Sequence, residues 1–128
     1  MKMLHTCIRV QDLEASLAFY DETLGLKEVS RNDFPEAQFT LVYLRSDDSD
    51  YELELTYNYG HEAYDLGNGY GHIAVGVDNL EESHEKHLAQ GIPTTDLMGL
   101  PGQVPLYYFI QDPDGYKIEV IDLNRFRK

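Results

Sequence analysis

The sequence predicts an α+β fold built from two tandem β-α-β-β-β modules. The first observation is a long internal match between His5–Ser16 and His72–Ser83, which keeps one register throughout. The second is a shorter match between Tyr51–Leu55 and Tyr116–Val120. The third is that both long segments alternate as a strand and then change to helical spacing behind a capping residue. The chain is therefore interpreted as a duplicated unit, with repeats over about 1–60 and 69–125 of a single domain, 1–128.

The first module opens with a strand over about Leu4–Val10. Asp12 is a typical helix N-cap, and leucines and a tyrosine follow it at helical spacing, at positions 13, 17, 20 and 24. Gly25 then ends the helix, because glycine accepts the left-handed conformation that closes many helices. Three further strands are predicted over about 26–31, 38–44 and 51–57.

The second module follows a glycine-rich linker, Asn58–Gly69, and its first strand starts at about Gly71. Asn79 with Glu82 three residues later forms a capping pattern, so a helix is expected over Leu80–Gln90 with Gly91 as its stop. The remaining strands are predicted over about 94–97, 106–111 and 116–122. An Asp-Pro-Asp-Gly turn precedes the last of them.

Composition narrows the possible functions. The chain has 128 residues, with 23 acidic against 10 basic side chains and a formal net charge of −13. Such a charge disfavours nucleic acid and anionic membranes as partners. No apolar run is long enough for a membrane span and no signal peptide opens the chain, and the single Cys7 suits a reducing compartment. A cytoplasmic protein is expected, with Cys7 as a small buried side chain.

Four polar positions are shared by the two repeats: His5, Glu54, His72 and Glu119. Strand alternation separates each from apolar neighbours that we expect beneath the helices, namely Ile8, Val10, Val75 and Val77. One such histidine or glutamate would ordinarily be structural or solvent-exposed, but here all four recur in pairs. Two imidazoles and two carboxylates are a donor set for Ni²⁺, Co²⁺, Zn²⁺, Fe²⁺ or Mn²⁺. A divalent metal site is therefore predicted.

The other histidines give weaker indications. His84 and His87 lie three residues apart on the second predicted helix, a spacing that suits either a surface metal clip or a solvated helix face. The solvated face is the favoured interpretation. His61 lies in the linker without an evident partner.

Four segments carry a resemblance to a known family: L-H-T-C-I-R-V from Leu4, E-L-T-Y-N-Y from Glu54, Y-G-H-I-A-V from Tyr70 and D-P-D-G-Y-K-I-E from Asp112. Together they resemble the vicinal oxygen chelate superfamily. Within it, the chain is similar over nearly its whole length to the short bacterial glyoxalase I family, the lactoylglutathione lyases.

The resemblance implies that His5, Glu54, His72 and Glu119 bind one octahedral ion completed by two waters, with Ni²⁺ or Co²⁺ preferred. It implies a homodimer, since many relatives build each site from repeats of two subunits. Arg9 and Asn58 match positions that hold the glutathionyl part of the substrate. The implied reaction isomerises the hemithioacetal of methylglyoxal and glutathione to S-lactoylglutathione. Glu119 is the main proton carrier, and Glu54 serves the opposite substrate face.

One segment departs from the family pattern. Relatives that use glutathione often carry a lysine in the loop that corresponds to Met98–Pro105, and no basic residue occurs from Gly91 to Tyr116. We therefore expect Arg9 to dominate recognition of the thiol. The alternatives are another metalloenzyme of the superfamily (an enzyme for a different thiol, a thiol transferase, an epimerase or a dioxygenase) and a metal-free drug-binding module.

Overall fold

The computed structural model describes residues 1–125, so the last three residues of the predicted domain lie outside it. The chain forms two compact units, divided between Asp65 and Leu66. This division falls inside the predicted linker Asn58–Gly69, and each unit contains one of the two repeats.

The first unit has the predicted β-α-β-β-β order. Its elements are β1 (His5–Arg9), α1 (Leu13–Leu24), β2 (Lys27–Phe34), β3 (Phe39–Arg45) and β4 (Glu52–Asn58). The strands form one sheet in the order β1-β4-β3-β2, in which β1 pairs with β4 in parallel and the other pairs are antiparallel. The first and last strands of the repeat are therefore neighbours.

Helix α1 begins and ends where the sequence predicts. The Asp12 side chain accepts a hydrogen bond from the amide of Ala15 at 3.1 Å, and Gly25 adopts a left-handed φ of 67°. The buried stripe differs from the leucine spacing, since Ser16 and Thr23 are buried whereas positions 17 and 24 are only half-buried. Phe19 and Tyr20 are the large buried side chains of the helix, and its buried face runs through positions 13, 16, 19, 20 and 23.

Strand alternation produces the core of the first unit. One face of its sheet is buried, and the side chains that it contributes to the core are Ile8, Val10, Val42, Leu44, Leu53 and Leu55. The opposite face carries the polar positions of β1 and β4. By parallel register Cys7 lies beside Glu54 and Arg9 beside Thr56, so these side chains share one face with His5.

The second unit repeats this plan with one strand fewer. Its elements are β5 (Ile73–Val77), α2 (Leu80–Ala89), β6 (Tyr107–Gln111) and β7 (Lys117–Asp122). The sheet order is β5-β7-β6, with β5 and β7 parallel and β6 and β7 antiparallel. Asn79 caps α2 as predicted, because its side chain accepts from the amide of Glu82 at 3.1 Å. The first and last strands are again neighbours.

The short strand predicted over 94–97 is wrong. This segment makes one isolated bridge, from Thr94 to Ile110, and the next bridge joins Met98, just beyond the segment, to Tyr107. Between them the hydroxyl of Thr95, instead of a backbone carbonyl, accepts the amide of Phe109 at 2.9 Å. A side-chain acceptor in place of a ladder bond interrupts the strand, since a continuous ladder needs the backbone group.

Two burial predictions for the second unit also need correction. The apolar face of β5 is only half-buried at Val75 and Val77, and α2 packs against β6 and β7. His87 is not on a solvated helix face, because it is only 2% exposed and its Nδ1 lies 2.7 Å from the Tyr108 hydroxyl. Within residues 1–125, no helix is long and apolar enough to cross a membrane.

Candidate metal centre

The first candidate pair joins the two neighbouring strands of the first unit. His5 opens β1, Glu54 lies in the middle of β4, and Nε2 of the histidine is 3.6 Å from Oε2 of the glutamate. The histidine ring is partly open to solvent, whereas the carboxylate is nearly buried. Because β1 and β4 are parallel neighbours, this proximity follows directly from the sheet order.

Glu54 is held by three donors on its own sheet. The hydroxyls of Tyr43 and Thr56 and the thiol of Cys7 all hydrogen-bond to its carboxylate, Thr56 at 3.3 Å. Burial raises the pKa of Glu54, but these bonds and the neighbouring His5 outweigh burial, so the net pKa lies below the usual value. The hydrogen bond between Tyr43 and Glu54 also raises the pKa of Tyr43 to about 12. Glu54 is therefore fixed in position and ionised.

The second candidate pair repeats this arrangement. His72 comes directly before β5, Glu119 lies on β7, and Nε2 of the histidine is 3.1 Å from Oε1 of the glutamate. Phe109 of β6 is the antiparallel partner of Glu119, and its ring meets the imidazole edge-on at 5.2 Å. Within residues 1–125, His72 is the only polar partner of the Glu119 carboxylate.

Each pair has the dimensions of half a metal site. Two donors about 2.1 Å from one ion and at right angles to each other are about 3 Å apart. The observed separations of 3.6 and 3.1 Å between nitrogen and oxygen are close to this value. The donor chemistry of both pairs thus fits a borderline divalent ion. In the described part of the chain, no group of three or more potential ligands is already assembled.

The predicted substrate contacts are both on the first unit. Arg9 is exposed at the end of β1, on the same strand face as His5. Asn58 is the last residue of β4, four residues after Glu54. Its side-chain amide donates a hydrogen bond to the Tyr64 hydroxyl at 2.9 Å. Tyr64 in turn stacks on His61 at 4.0 Å between ring centroids. The linker histidine therefore has a partner, which the sequence did not indicate.

A cavity of about 590 Å³ lies beside His72 in the second unit. Its walls come from the segment after α2 and from facing positions of β6 and β7. The lining residues are Gly71, His72, Pro93, Thr94, Thr95, Phe109, Gln111 and Lys117. This volume is within the range of small-molecule sites.

Sequence reasoning missed the partners of Glu54. Cys7 is exposed, not buried as expected, and it lies 3.2 Å from the Thr56 hydroxyl. Its alternation with His5 on β1 was the available signal. Tyr43 could be placed only with the register of β3 against β4, which puts it directly opposite Glu54.

Comparison with known proteins identifies the family. The model of the Glyoxalase/Bleomycin resistance protein/Dioxygenase superfamily matches residues 2–120. The chain belongs to this superfamily. The predicted resemblance and the α+β fold of the glyoxalase type are thereby confirmed.

Similar proteins include several lactoylglutathione lyases. The chain is 47% identical to the one from Neisseria meningitidis serogroup A, over 94% of this chain and 90% of the relative. It is 43% identical to the one from Salmonella typhimurium, over 95% and 93%. A solved structure of the trypanothione-dependent glyoxalase I of Leishmania major is similar with a TM-score of 0.85 and 40% identity, over 97% and 88%.

Proposed function

We propose that the chain is a metal-dependent enzyme that isomerises the hemithioacetal of methylglyoxal and glutathione to S-lactoylglutathione. The single observation that carries the proposal is the repeated His–Glu pair, at 3.6 Å in one repeat and 3.1 Å in the other. The identity of 43–47% to lactoylglutathione lyases supports the same reaction.

His5, Glu54, His72 and Glu119 are the proposed ligands of one divalent ion, with Ni²⁺ or Co²⁺ as the preferred metals. A bound ion would polarise the hydroxyl and ketone oxygens of the substrate, which eases removal of the proton from the carbon that bears the hydroxyl and the sulfur. Since each pair supplies only two ligands, one ion takes one pair from each type of repeat.

The reaction needs a base that takes a proton from one carbon and returns it to the next. The C–H bond beside sulfur breaks and a C–H bond at the former ketone carbon forms, while the hydroxyl proton of the first carbon passes to the oxygen of the second. The first carbon becomes the thioester carbonyl and the second the alcohol, so no atom or electron is gained or lost. Glu119 is the proposed carrier, because within residues 1–125 its carboxylate has one polar partner and can move. Glu54 is tied to Tyr43, Thr56 and Cys7 and is suited to remain in place facing the opposite side of the substrate.

The thiol part of the substrate carries carboxylates that require cations. Arg9 is the proposed contact on the first unit, with Asn58 at the end of the β4 strand beside it. Glutathione is the proposed thiol, since the curated relatives are named for its lactoyl thioester. Trypanothione, the thiol of the Leishmania relative, is the second candidate.

The proposed enzyme is a cytoplasmic homodimer whose sites use repeats of both subunits. Because each repeat supplies only two of the four proposed ligands, a repeat of a partner subunit can complete each site. Sedimentation at micromolar concentration should give twice the mass of the chain. A fully active monomer would show that two subunits are not required.

The decisive experiment is an isomerase assay on chelator-stripped protein reloaded with one ion at a time. We expect no activity without metal, and higher activity with Ni²⁺ or Co²⁺ than with Zn²⁺. Glu54→Gln and Glu119→Gln should each lose most activity, whereas the matched control Glu85→Gln on exposed α2 should not. Full activity in the stripped protein would refute metal dependence. Absence of metal binding, with no isomerase activity whichever ion is added, would favour a metal-free binding module instead.

A further inference from the structure

The cavity beside His72 has an unusual charge for this protein. Although the chain carries 23 acidic residues, none of the residues that line the cavity within the described part of the chain is acidic. Among these lining residues, Lys117 is the one lysine or arginine. The cavity beside the candidate ligand His72 therefore carries a positive charge, although the chain as a whole is strongly negative.

Lys117 and its neighbour Gln111 are not committed to other partners. They are directly opposite each other in the β6–β7 ladder, so their side chains lie on the same face about 5 Å apart at Cβ. Within residues 1–125, the ammonium makes no ion pair and the amide side chain makes no hydrogen bond. Both remain available to a ligand in the cavity.

The position of Lys117 suits one end of a peptide substrate. It precedes Glu119 by two residues on β7, which is about 6.6 Å along a strand. The reacting carbon of a glutathione hemithioacetal is bonded to the sulfur of the central cysteine, and two extended residues span at most about 7 Å. A substrate whose reacting carbon lies at the His72–Glu119 pair can therefore bring a terminal carboxylate to the Lys117 ammonium, with Phe109 contacting the peptide between them.

We propose that Lys117, with Gln111 beside it, binds a carboxylate of the tripeptide thiol and so determines thiol specificity. The proposal rests on the proposed isomerase function. It adds a second cation to Arg9, on the other repeat, in place of the loop lysine that this chain lacks. It also favours a thiol with free carboxylates over one in which they are blocked as amides.

The test compares Lys117→Met with Lys117→Arg and with the control Lys86→Met, an exposed lysine on α2 that is not among the cavity-lining residues. The substrates are hemithioacetals of glutathione, of its glycinamide form and of γ-aminobutyryl-cysteinyl-glycine, which lacks the other carboxylate. For glutathione, Lys117→Met should raise KM about tenfold or more with kcat little changed, since a charged hydrogen bond is lost. Lys117→Arg and Lys86→Met should stay near wild type.

If Lys117 binds a given carboxylate, Lys117→Met should leave KM unchanged for the analogue that lacks that carboxylate. The analogue with an unchanged KM therefore identifies the bound carboxylate. Equal KM increases on all three substrates, or no increase on any, would overturn the proposal. Calorimetric binding of S-methylglutathione provides a readout apart from turnover. If the wild type isomerises nothing yet binds this probe through Lys117, the proposed function fails and the carboxylate site stands. If the wild type isomerises the substrate and neither KM nor probe binding depends on Lys117, the proposed function stands and the carboxylate site fails.

Discussion

Tyr43 and Phe109 occupy matching positions in the two repeats. Each is the antiparallel partner of the candidate ligand glutamate, Glu54 in one sheet and Glu119 in the other. Each presents its ring edge to the candidate histidine, at 5.6 and 5.2 Å between centroids. The two rings differ by one hydroxyl: that of Tyr43 hydrogen-bonds to Glu54, whereas Phe109 has none to offer Glu119.

Together with the bonds from Thr56 and Cys7, this hydroxyl is expected to give the two proposed ligand carboxylates different roles. A carboxylate that accepts several hydrogen bonds is held in one rotamer and kept ionised, as a permanent metal ligand requires. A carboxylate with a single partner reorients more easily, as a proton carrier requires. The repeat thus supplies one fixed and one adjustable glutamate.

Tyr43→Phe tests this division of roles. Removing the hydroxyl should lower metal affinity about 10–100-fold, because partners of metal ligands typically contribute this much. The fall in kcat of the fully loaded enzyme should be smaller. Competition with a coloured chelator measures the affinity, and Tyr57→Phe, whose hydroxyl makes no hydrogen bond within residues 1–125, is the matched control. Equal affinity in both variants would show that Tyr43 does not support the site.

The pH dependence of stability should also depend on Glu54. Its pKa lies below the usual value of 4.5 in the folded chain, because burial is outweighed by hydrogen bonds from Tyr43, Cys7 and Thr56 and by His5. The stabilisation from Glu54 is therefore present above the unfolded pKa and lost as pH falls through the folded pKa.

Urea denaturation of the metal-free protein at a series of pH values measures this effect. The free energy of unfolding should fall below about pH 4.5. In Glu54→Gln this fall should be shallower, and the difference from wild type should vanish at the lowest pH. Glu85→Gln, on the exposed side of α2, should follow the wild type throughout. Parallel curves for wild type and Glu54→Gln would contradict the lowered pKa.

The features that the sequence predicted are those that the duplication encodes locally. The recurrence of His5 and Glu54 as His72 and Glu119 could be read from the sequence alone. That each histidine lies beside its glutamate depends on the pairing of the first and last strands of each repeat. The helix caps at Asp12 and Asn79 are likewise short-range signals. The hydrogen bond of Tyr43 depends on the register between separate strands. The cavity at Lys117 depends on the path of the segment after α2, which the sequence wrongly assigned to a strand.

Arg9→Ala should weaken substrate binding and leave the chemistry intact. Arg9 shares a strand face with His5, two residues further along β1. Loss of a charged contact of about 1.5–3 kcal/mol corresponds to tenfold or more in KM for the glutathione hemithioacetal. Steady-state kinetics measure it, with Arg31→Ala as control because Arg31 pairs with Glu28 on the exposed strand β2. An unchanged KM would mean that Arg9 does not contact the thiol.

Outside the candidate metal centre, the structure contains a buried polar cluster that joins α2 to β6. The Tyr108 hydroxyl lies 2.7 Å from Ser83 Oγ and 2.7 Å from His87 Nδ1, both on α2. It can donate to one of them and accept from the other. Burial, partly offset by the bond with Ser83, raises the pKa of Tyr108. The cluster ties the helix to β6 where few apolar side chains do so.

Tyr108→Phe should therefore destabilise the second unit by about 1–3 kcal/mol, because it removes a hydrogen bond from a histidine that is only 2% exposed. The benzene ring is kept, so no large cavity forms and the loss reports on the hydroxyl. Thermal or urea unfolding measures the change. Tyr107→Phe is the matched control, since the neighbouring hydroxyl makes no hydrogen bond within residues 1–125. If both variants have the same free energy of unfolding as the wild type, the cluster does not stabilise α2. If Tyr108→Phe alone is weaker while isomerase activity per folded molecule is unchanged, the cluster is structural and separate from the metal centre.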